Sequence, residues 1–201
     1  LFAYLDAPVV LTDPRTAEMV KYASNAFLAT KISFINEIAA ICEHLDADVD
    51  AVIQGMSIDP RIGRQFLRPG VGFGGSCFPK DVRALSHMAL GNGYGPALLG
   101  AVMAVNQSMR SRVFRKLERH LGSVAGRTIA ILGLAFKPDT DDIREAPAAA
   151  LIGDLLNAGA MVRATDPVAN VPARAVHPSV TYTQDAFGAA MGADAVVLMT
   201  E

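Results

Sequence analysis

The 201-residue chain predicts an α/β protein in two parts, an all-α half followed by a parallel α/β half. Three observations carry this prediction. Up to about residue 121, apolar residues recur every three or four positions, the period of a helix. After Gly126 short β runs alternate with helical segments, which implies parallel strands joined by crossovers and covered on both faces. Hydrophobic residues make up 51% and charged residues 19%, enough apolar material to bury a core and too little polarity for disorder.

The elements follow in order. One long helix is expected from Thr16 to about Asp46, started by Pro14 and Thr16. Leu28, Ile32, Ile35, Ala39 and Cys42 form its apolar stripe. That length exceeds the ordinary globular range, so the helix is expected to span a domain or an oligomer interface. A second helix is expected from Val49 to Gly55, then a Gly/Pro-rich loop from Pro60 to Pro79. Helices resume from Asp81 to Leu90 and from Ala97 to Leu121. In the second part, strands are expected at Thr128–Leu132, Met161–Thr165, Val180–Tyr182 and Ala195–Met199. Helices are expected at Pro147–Ala158 and Asp185–Met191. The boundary lies near Gly122 to Gly126, giving domains of residues 1–122 and 126–201.

Composition excludes several functions. Lys+Arg 18 against Asp+Glu 20 leaves a charge of -2, unlike a nucleic-acid binder. The longest apolar run, Ala97 to Val105, is far short of the roughly 18 residues that cross a bilayer. Two cysteines, Cys42 and Cys77, form no disulfide framework or zinc knuckle, and His44, His87, His120 and His177 lack metal-ligand spacing. No metal is therefore expected. Leu1 to Asp6 carry no basic segment of the secretory type, so a cytoplasmic location is expected. The missing initiator Met and a last strand without its following turn suggest a piece of a longer chain. Asn106-Gln107-Ser108 matches a glycosylation sequon by spacing and is read as a chance match on a helix.

The chemistry concentrates between Gly70 and Asp81, in the run Gly70-Val71-Gly72-Phe73-Gly74-Gly75-Ser76-Cys77-Phe78-Pro79-Lys80-Asp81. Gly70, Gly72 and Gly75 satisfy GxGxxG by spacing, but no β run precedes them, so the dinucleotide reading is rejected. Glycines here are expected to let backbone N–H groups approach a ligand closely. Pro79 belongs in the first turn of a helix, which places Cys77 just off its N-terminus. The helix dipole and Lys80 would there stabilise a thiolate relative to a free thiol, whose pKa is about 8.5. Cys77 therefore reads as a nucleophile, the alternative being a small residue packed in a turn. Cys42, on the apolar stripe, reads as core. Asp81 reads equally as a general base or as a helix-start carboxylate. Lys21 and Asn25 share one helix face and either emerge into solvent or line a site. Gly133 to Pro138 follows a strand directly, where doubly wound sheets bind ligands. Lys137 is placed to pair with phosphate and Arg144 to reach a second anion, the alternative being plain surface cations.

Lys21 to Lys31, Asp59 to Gly63, Gly72 to Asp81 and Gly133 to Glu145 together resemble the UDP-glucose 6-dehydrogenase family of nucleotide-sugar dehydrogenases. The resemblance covers almost the whole chain. It implies a helical central domain followed by an incomplete Rossmann-like UDP-sugar-binding domain, without the family's N-terminal NAD-binding domain. It implies that Cys77 is the nucleophile, that Lys21 and Asn25 hold the sugar and stabilise the oxyanion, and that Asp81 handles water and proton. Phe66, Leu67, Arg68, Pro69, Gly70 and Gly74 would line the sugar-nucleotide pocket, and Lys137 would contact the substrate. Arg61 would reach the substrate of a neighbouring subunit, and Lys80 and Arg144 would contact NAD. Ala146 departs from the serine expected before Pro147 and touches none of these roles.

The implied reaction oxidises C6 of UDP-glucose to the acid with two NAD+, through a Cys77 thiohemiacetal and thioester. A homodimer through the helix of residues 16–46 is expected, with a UDP-sugar as substrate and neither nucleic acid nor membrane as partner. Rival readings are a GDP-mannose or UDP-N-acetylmannosamine dehydrogenase, and a non-catalytic dimerisation and UDP-binding module. A cysteine hydrolase would need a histidine beside Cys77, and His87 belongs to no recognisable dyad.

Overall fold

The computed structural model describes residues 7–200. Helix α1, Pro14–Leu45, begins two residues before the expected start, because Asp13 is its N-cap and accepts from the Arg15 and Thr16 amides. Helices α2, Val49–Met56, α3, Phe78–Gly91, and α4, Ala97–Leu121, complete the helical half. Helix α3 starts three residues earlier than expected. Cys77 occupies its N-cap position and Pro79 its first turn, where the missing N–H costs nothing.

Ala26 and Ala29 are buried on α1, and their small side chains let α3 and α4 pack closely with Phe73, Val82 and Val102. Ser33 Oγ donates to the Val102 carbonyl at 2.8 Å, satisfying a buried hydroxyl. Cys42 is buried, as expected of a core residue. The opposite face of α1 leaves Phe27, Phe34 and Ile41 exposed at seven-residue spacing. No helix among the described residues is long and apolar enough to cross a membrane.

The second half is a four-stranded parallel sheet of β1, Thr128–Leu132, β2, Met161–Thr165, β3, Thr181–Tyr182, and β4, Ala195–Leu198. Their order is β3-β2-β1-β4, with Ile129 opposite Val162 on one side and Ala195 on the other. Helix α5, Pro147–Asn157, links β1 to β2, and α7, Ala186–Ala190, links β3 to β4. A further short helix, α6, Asn170–Val176, joins β2 to β3. No helix was expected there, since seven residues are too few to display a period. Ile129, Ile131, Leu151, Ile152 and Leu155 are fully buried in the sheet core, each contributing about 1.5–3 kcal/mol. The expectation of a sheet covered on both faces holds for β1 but not for β4, where Val196 and Leu198 are exposed.

Two features join the halves. Helix α4 packs Val102 against α1 and α3, and packs Val113, Phe114 and Leu117 into the sheet core. The glycine loop is stitched to both sides. Asn36 Oδ1 accepts from the Gly70 amide at 2.7 Å. Asn106 Oδ1 accepts from Phe73 N at 2.7 Å, and its Nδ2 donates to the Phe73 carbonyl at 3.0 Å. Gly75 N donates to the Arg144 carbonyl at 2.8 Å. Asn106 is 1% exposed, so the sequon is a structural clamp and not a glycosylation acceptor.

Gly74 and Gly75 also admit protein at close range. A Cβ on Gly74 would lie 2.3 Å from the Glu145 carbonyl oxygen, and one on Gly75 would lie 2.7 Å from the Phe136 ring. Gly74→Ala must displace the backbone of the second half. It is expected to lower unfolding free energy by about 1–3 kcal/mol, read from urea denaturation. A change within a few tenths of that scale would mean the seam is looser than this contact indicates.

Candidate active site

The site is built from the start of α3 and one face of α1. Asp81, in the first turn of α3, is wholly buried although it carries a charge. Its Oδ2 accepts from Lys21 Nζ at 2.9 Å and from Asn25 Nδ2 at 2.6 Å. Its Oδ1 has Lys80 Nζ at 3.4 Å as an ion-pair partner but no hydrogen bond. Lys21 and Asn25 thus face a buried carboxylate across the helix pair. The pair itself looks two ways, since 60% of the Lys21 side chain is exposed.

Burial alone would push the Asp81 carboxyl up. The hydrogen bonds from Lys21 and Asn25 and the charges of Lys21 and Lys80 outweigh it, holding the group below its ordinary 3.8. Lys21 is raised, chiefly by its hydrogen bond to Asp81, with the nearby Cys77 a smaller contributor.

Cys77 is exposed at the N-cap of α3. Its carbonyl accepts from the Asp81 amide at 2.8 Å, the first helical bond. Its sulfur lies 3.9 Å from Ser76 Oγ. Cys77 thus stands at the N-terminus of α3, one turn from Asp81. Arg144 faces it from the other half. That guanidinium is raised mainly by its hydrogen bond to Asp142, with Cys77 again a smaller contributor. Among the described residues no histidine hydrogen-bonds the Cys77 sulfur, and no three His, Cys, Asp or Glu side chains stand together to hold a metal ion.

Beside this cluster lies a cavity of about 400 Å³ between the halves. Phe66, Arg68, Pro69, Gly70 and Gly74 line it from the helical side, and Phe136 and Lys137 from the sheet side. Phe66 is held at φ 63, a conformation rare for a bulky residue. Leu67 does not line this cavity. Its side chain is buried with Ile35 and Ile53. Lys137 Nζ stands 5.6 Å from the Phe136 ring centroid. Lys80 and Arg144 are largely exposed, and Arg144 lies within electrostatic reach of Cys77. Arg144 donates Nε and Nη2 to Asp142 at 2.9 and 2.7 Å. Arg61 lies apart from these residues, 87% exposed, with its guanidinium paired to Asp59.

Sequence reasoning missed four residues that assemble the site. Asn36 and Asn106 hold the glycine loop, and polar residues within apolar helical stripes were the available signal. Arg83 donates both Nη atoms to the Glu145 carboxylate at 2.8 and 2.9 Å, bracing α3 against the second half. Nothing in spacing links positions so far apart.

Because the Asp81 carboxyl is held lower in the folded than in the unfolded chain, its ionised form adds stability above the ordinary 3.8. That stability is lost as pH falls through the lower folded value. Asp81→Asn is expected to cost about 1–3 kcal/mol at pH 7 and to make the urea midpoint less sensitive to acid below about pH 4. Equal acid sensitivity in variant and parent would remove Asp81 from this account.

Two family models match in chain order. The UDP-glucose/GDP-mannose dehydrogenase family central domain matches residues 15–108, and that family's UDP binding domain matches residues 130–201. The chain is 51% identical over 196 residues to the UDP-glucose 6-dehydrogenase TuaD of Bacillus subtilis, covering 97% of this chain and 42% of that protein. Among solved structures, a UDP-glucose dehydrogenase from Pyrobaculum islandicum superposes with a TM-score of 0.97 at 42% identity, over 99% of this chain and 46% of that one. A UDP-D-ManNAc dehydrogenase from Pyrococcus horikoshii superposes with a TM-score of 0.81 at 28% identity, over 98% and 44%. The chain thus spans less than half the length of these relatives. With its helical half and its sheet half each matching in turn, the chain belongs to the UDP-glucose/GDP-mannose dehydrogenase family.

Proposed function

We propose that the chain supplies the central domain, residues 1–122, and the UDP-binding domain, residues 126–201, of a longer cytoplasmic NAD-dependent UDP-glucose 6-dehydrogenase. The observation that carries this reading is an exposed cysteine at a helix N-terminus, one turn from a buried carboxylate that orients Lys21 and Asn25. The similarity to proteins named UDP-glucose dehydrogenases, at 51% and 42% identity, favours that sugar over the UDP-D-ManNAc relative at 28%.

The UDP-sugar occupies the cavity between the glycine loop and Lys137, which pairs with its phosphates. Lys80 and Arg144 would hold NAD+, two molecules of which, bound in turn, would supply the acceptors for the two hydrides that leave C6. The Cys77 thiolate adds to the C6 aldehyde, forming a C–S bond and an alkoxide. Lys21 and Asn25 donate to that oxygen, and preorganised donors of this kind contribute several kcal/mol, roughly 3–4 for one strong donor. Loss of the second hydride leaves a thioester on Cys77. Water then attacks the carbonyl, the C–S bond breaks, and the thiolate returns as the acid leaves. Asp81 sets Lys21 and Asn25 and keeps an acceptor oxygen for the water or its proton. The covalent bond splits one difficult oxidation into steps and retains the aldehyde.

The exposed stripe of Phe27, Phe34 and Ile41 on α1 supports a homodimer formed along that helix, since such apolar surface is stable when covered by a second copy. Arg61, free of the cavity of its own chain, then reaches the partner's substrate.

In the full-length enzyme, Cys77→Ser is expected to lower NADH formation from UDP-glucose at least hundredfold while leaving UDP-glucose affinity within a few-fold. Acid released at the parent rate would remove the nucleophile assignment. Turnover of UDP-glucose, GDP-mannose and UDP-N-acetylmannosamine by the parent enzyme, compared side by side, decides the substrate; a preference for either of the last two overturns the choice of sugar.

A further inference from the structure

Asp166 closes β2, the position where a dinucleotide-binding sheet carries an acidic residue for a ribose hydroxyl. Here the residue is 5% exposed and both oxygens are occupied by backbone. Oδ2 accepts from the Leu134 and Ala135 amides at 2.8 and 3.2 Å. Oδ1 accepts from the Val168 and Ala169 amides at 2.9 Å each. Burial pushes this carboxyl up, and the four amides outweigh it and hold it below its ordinary value.

Leu134 and Ala135 open the loop after β1, whose amides would face a phosphate in a dinucleotide fold. The Asp166 carboxylate takes that place from within the protein. The loop is pinned from other directions as well. Thr200 Oγ1 donates to the Ala135 carbonyl at 2.6 Å, and Phe136 N donates to the Asp142 carbonyl at 3.0 Å. The next two residues out of this knot are Phe136, whose ring abuts Gly75, and Lys137, which lines the cavity between the halves.

We propose that Asp166 is a positioning residue for the sugar nucleotide: an internal anion that clamps the Leu134 and Ala135 amides so that Phe136 seats on the glycine loop and Lys137 reaches the substrate cavity. The proposal rests on the reading of Lys137 as a substrate contact. Asp166 touches neither substrate nor cofactor and acts only through the loop it holds.

The test uses the full-length enzyme. Asp166→Asn preserves size but turns an amide NH2 towards two backbone donors. It is expected to raise KM for UDP-glucose about tenfold, with KM for NAD+ within twofold and kcat within threefold. General loss of structure would move all three parameters together. Lys137→Ala is expected to raise KM for UDP-glucose similarly, and the double variant to raise it by less than the product of the two single effects, because the clamp acts in part through that lysine. An unchanged KM in Asp166→Asn, or additive effects in the double variant, overturns the clamp. An unchanged KM in Lys137→Ala overturns the substrate-contact reading instead. Should Asp166→Asn fail to fold, hydrogen exchange on the parent enzyme decides. The Leu134 and Ala135 amides are expected to be protected before UDP-glucose is added, and no further by its addition. Fast exchange of these two amides in the free enzyme overturns the proposal.

Discussion

The organisation of the site depends on one buried charge. Asp81 sits with no exposed surface in the first turn of α3, and a carboxylate in that position is stable only when partnered. Lys21 and Asn25, four residues apart on α1, are the partners. The ion pair therefore does two things with the same atoms. It sets the position of α3 against α1, and it holds the Lys21 ammonium within electrostatic reach of the ground just beyond the N-terminus of α3. Cys77 occupies that ground because the helix begins one residue after it.

The second constraint is the seam between the halves. Gly74 and Gly75 let the backbone at Arg144 and Glu145 and the ring of Phe136 approach closer than any side chain would permit. The Arg83–Glu145 pair crosses the same seam from the second turn of α3. A surface ion pair alone stabilises little, but a two-pronged one beside a backbone contact adds directional restraint. The cavity is therefore shared, with its glycine wall from the helical half and its lysine from the sheet half. Helix α4, packed into both cores, makes the two halves one mechanical unit.

The sheet half shows how a doubly wound topology can be diverted from its usual ligand. Its crevice amides are taken by Asp166 and its β1–β4 side is closed over Gly133 by Thr200. What the half offers to the cavity is the loop that follows, carrying Phe136 and Lys137. That division fits a protein whose binding surface lies between domains, where pockets commonly form.

The sequence by itself determined every element but the short α6, and most limits to within a residue or two. β1 and β2 were legible to the residue, because short runs between turn residues, Gly126 and Gly133 for β1 and Gly159 and Asp166-Pro167 for β2, leave little freedom. The long α1 was legible from its stripe, and Cys77 at a helix start from Pro79 two residues on. These are local signals, carried by neighbours within a few positions. Only the tertiary structure decided which partner each polar residue takes. Whether Lys21 and Asn25 meet solvent or a carboxylate depends on a residue 60 positions away for the lysine and 56 for the amide. The burial of Leu67, the clamps of Asn36 and Asn106 and the Arg83–Glu145 brace are likewise long-range pairings. Helical and strand periods record which face of an element is apolar, but they carry no record of what that face will meet.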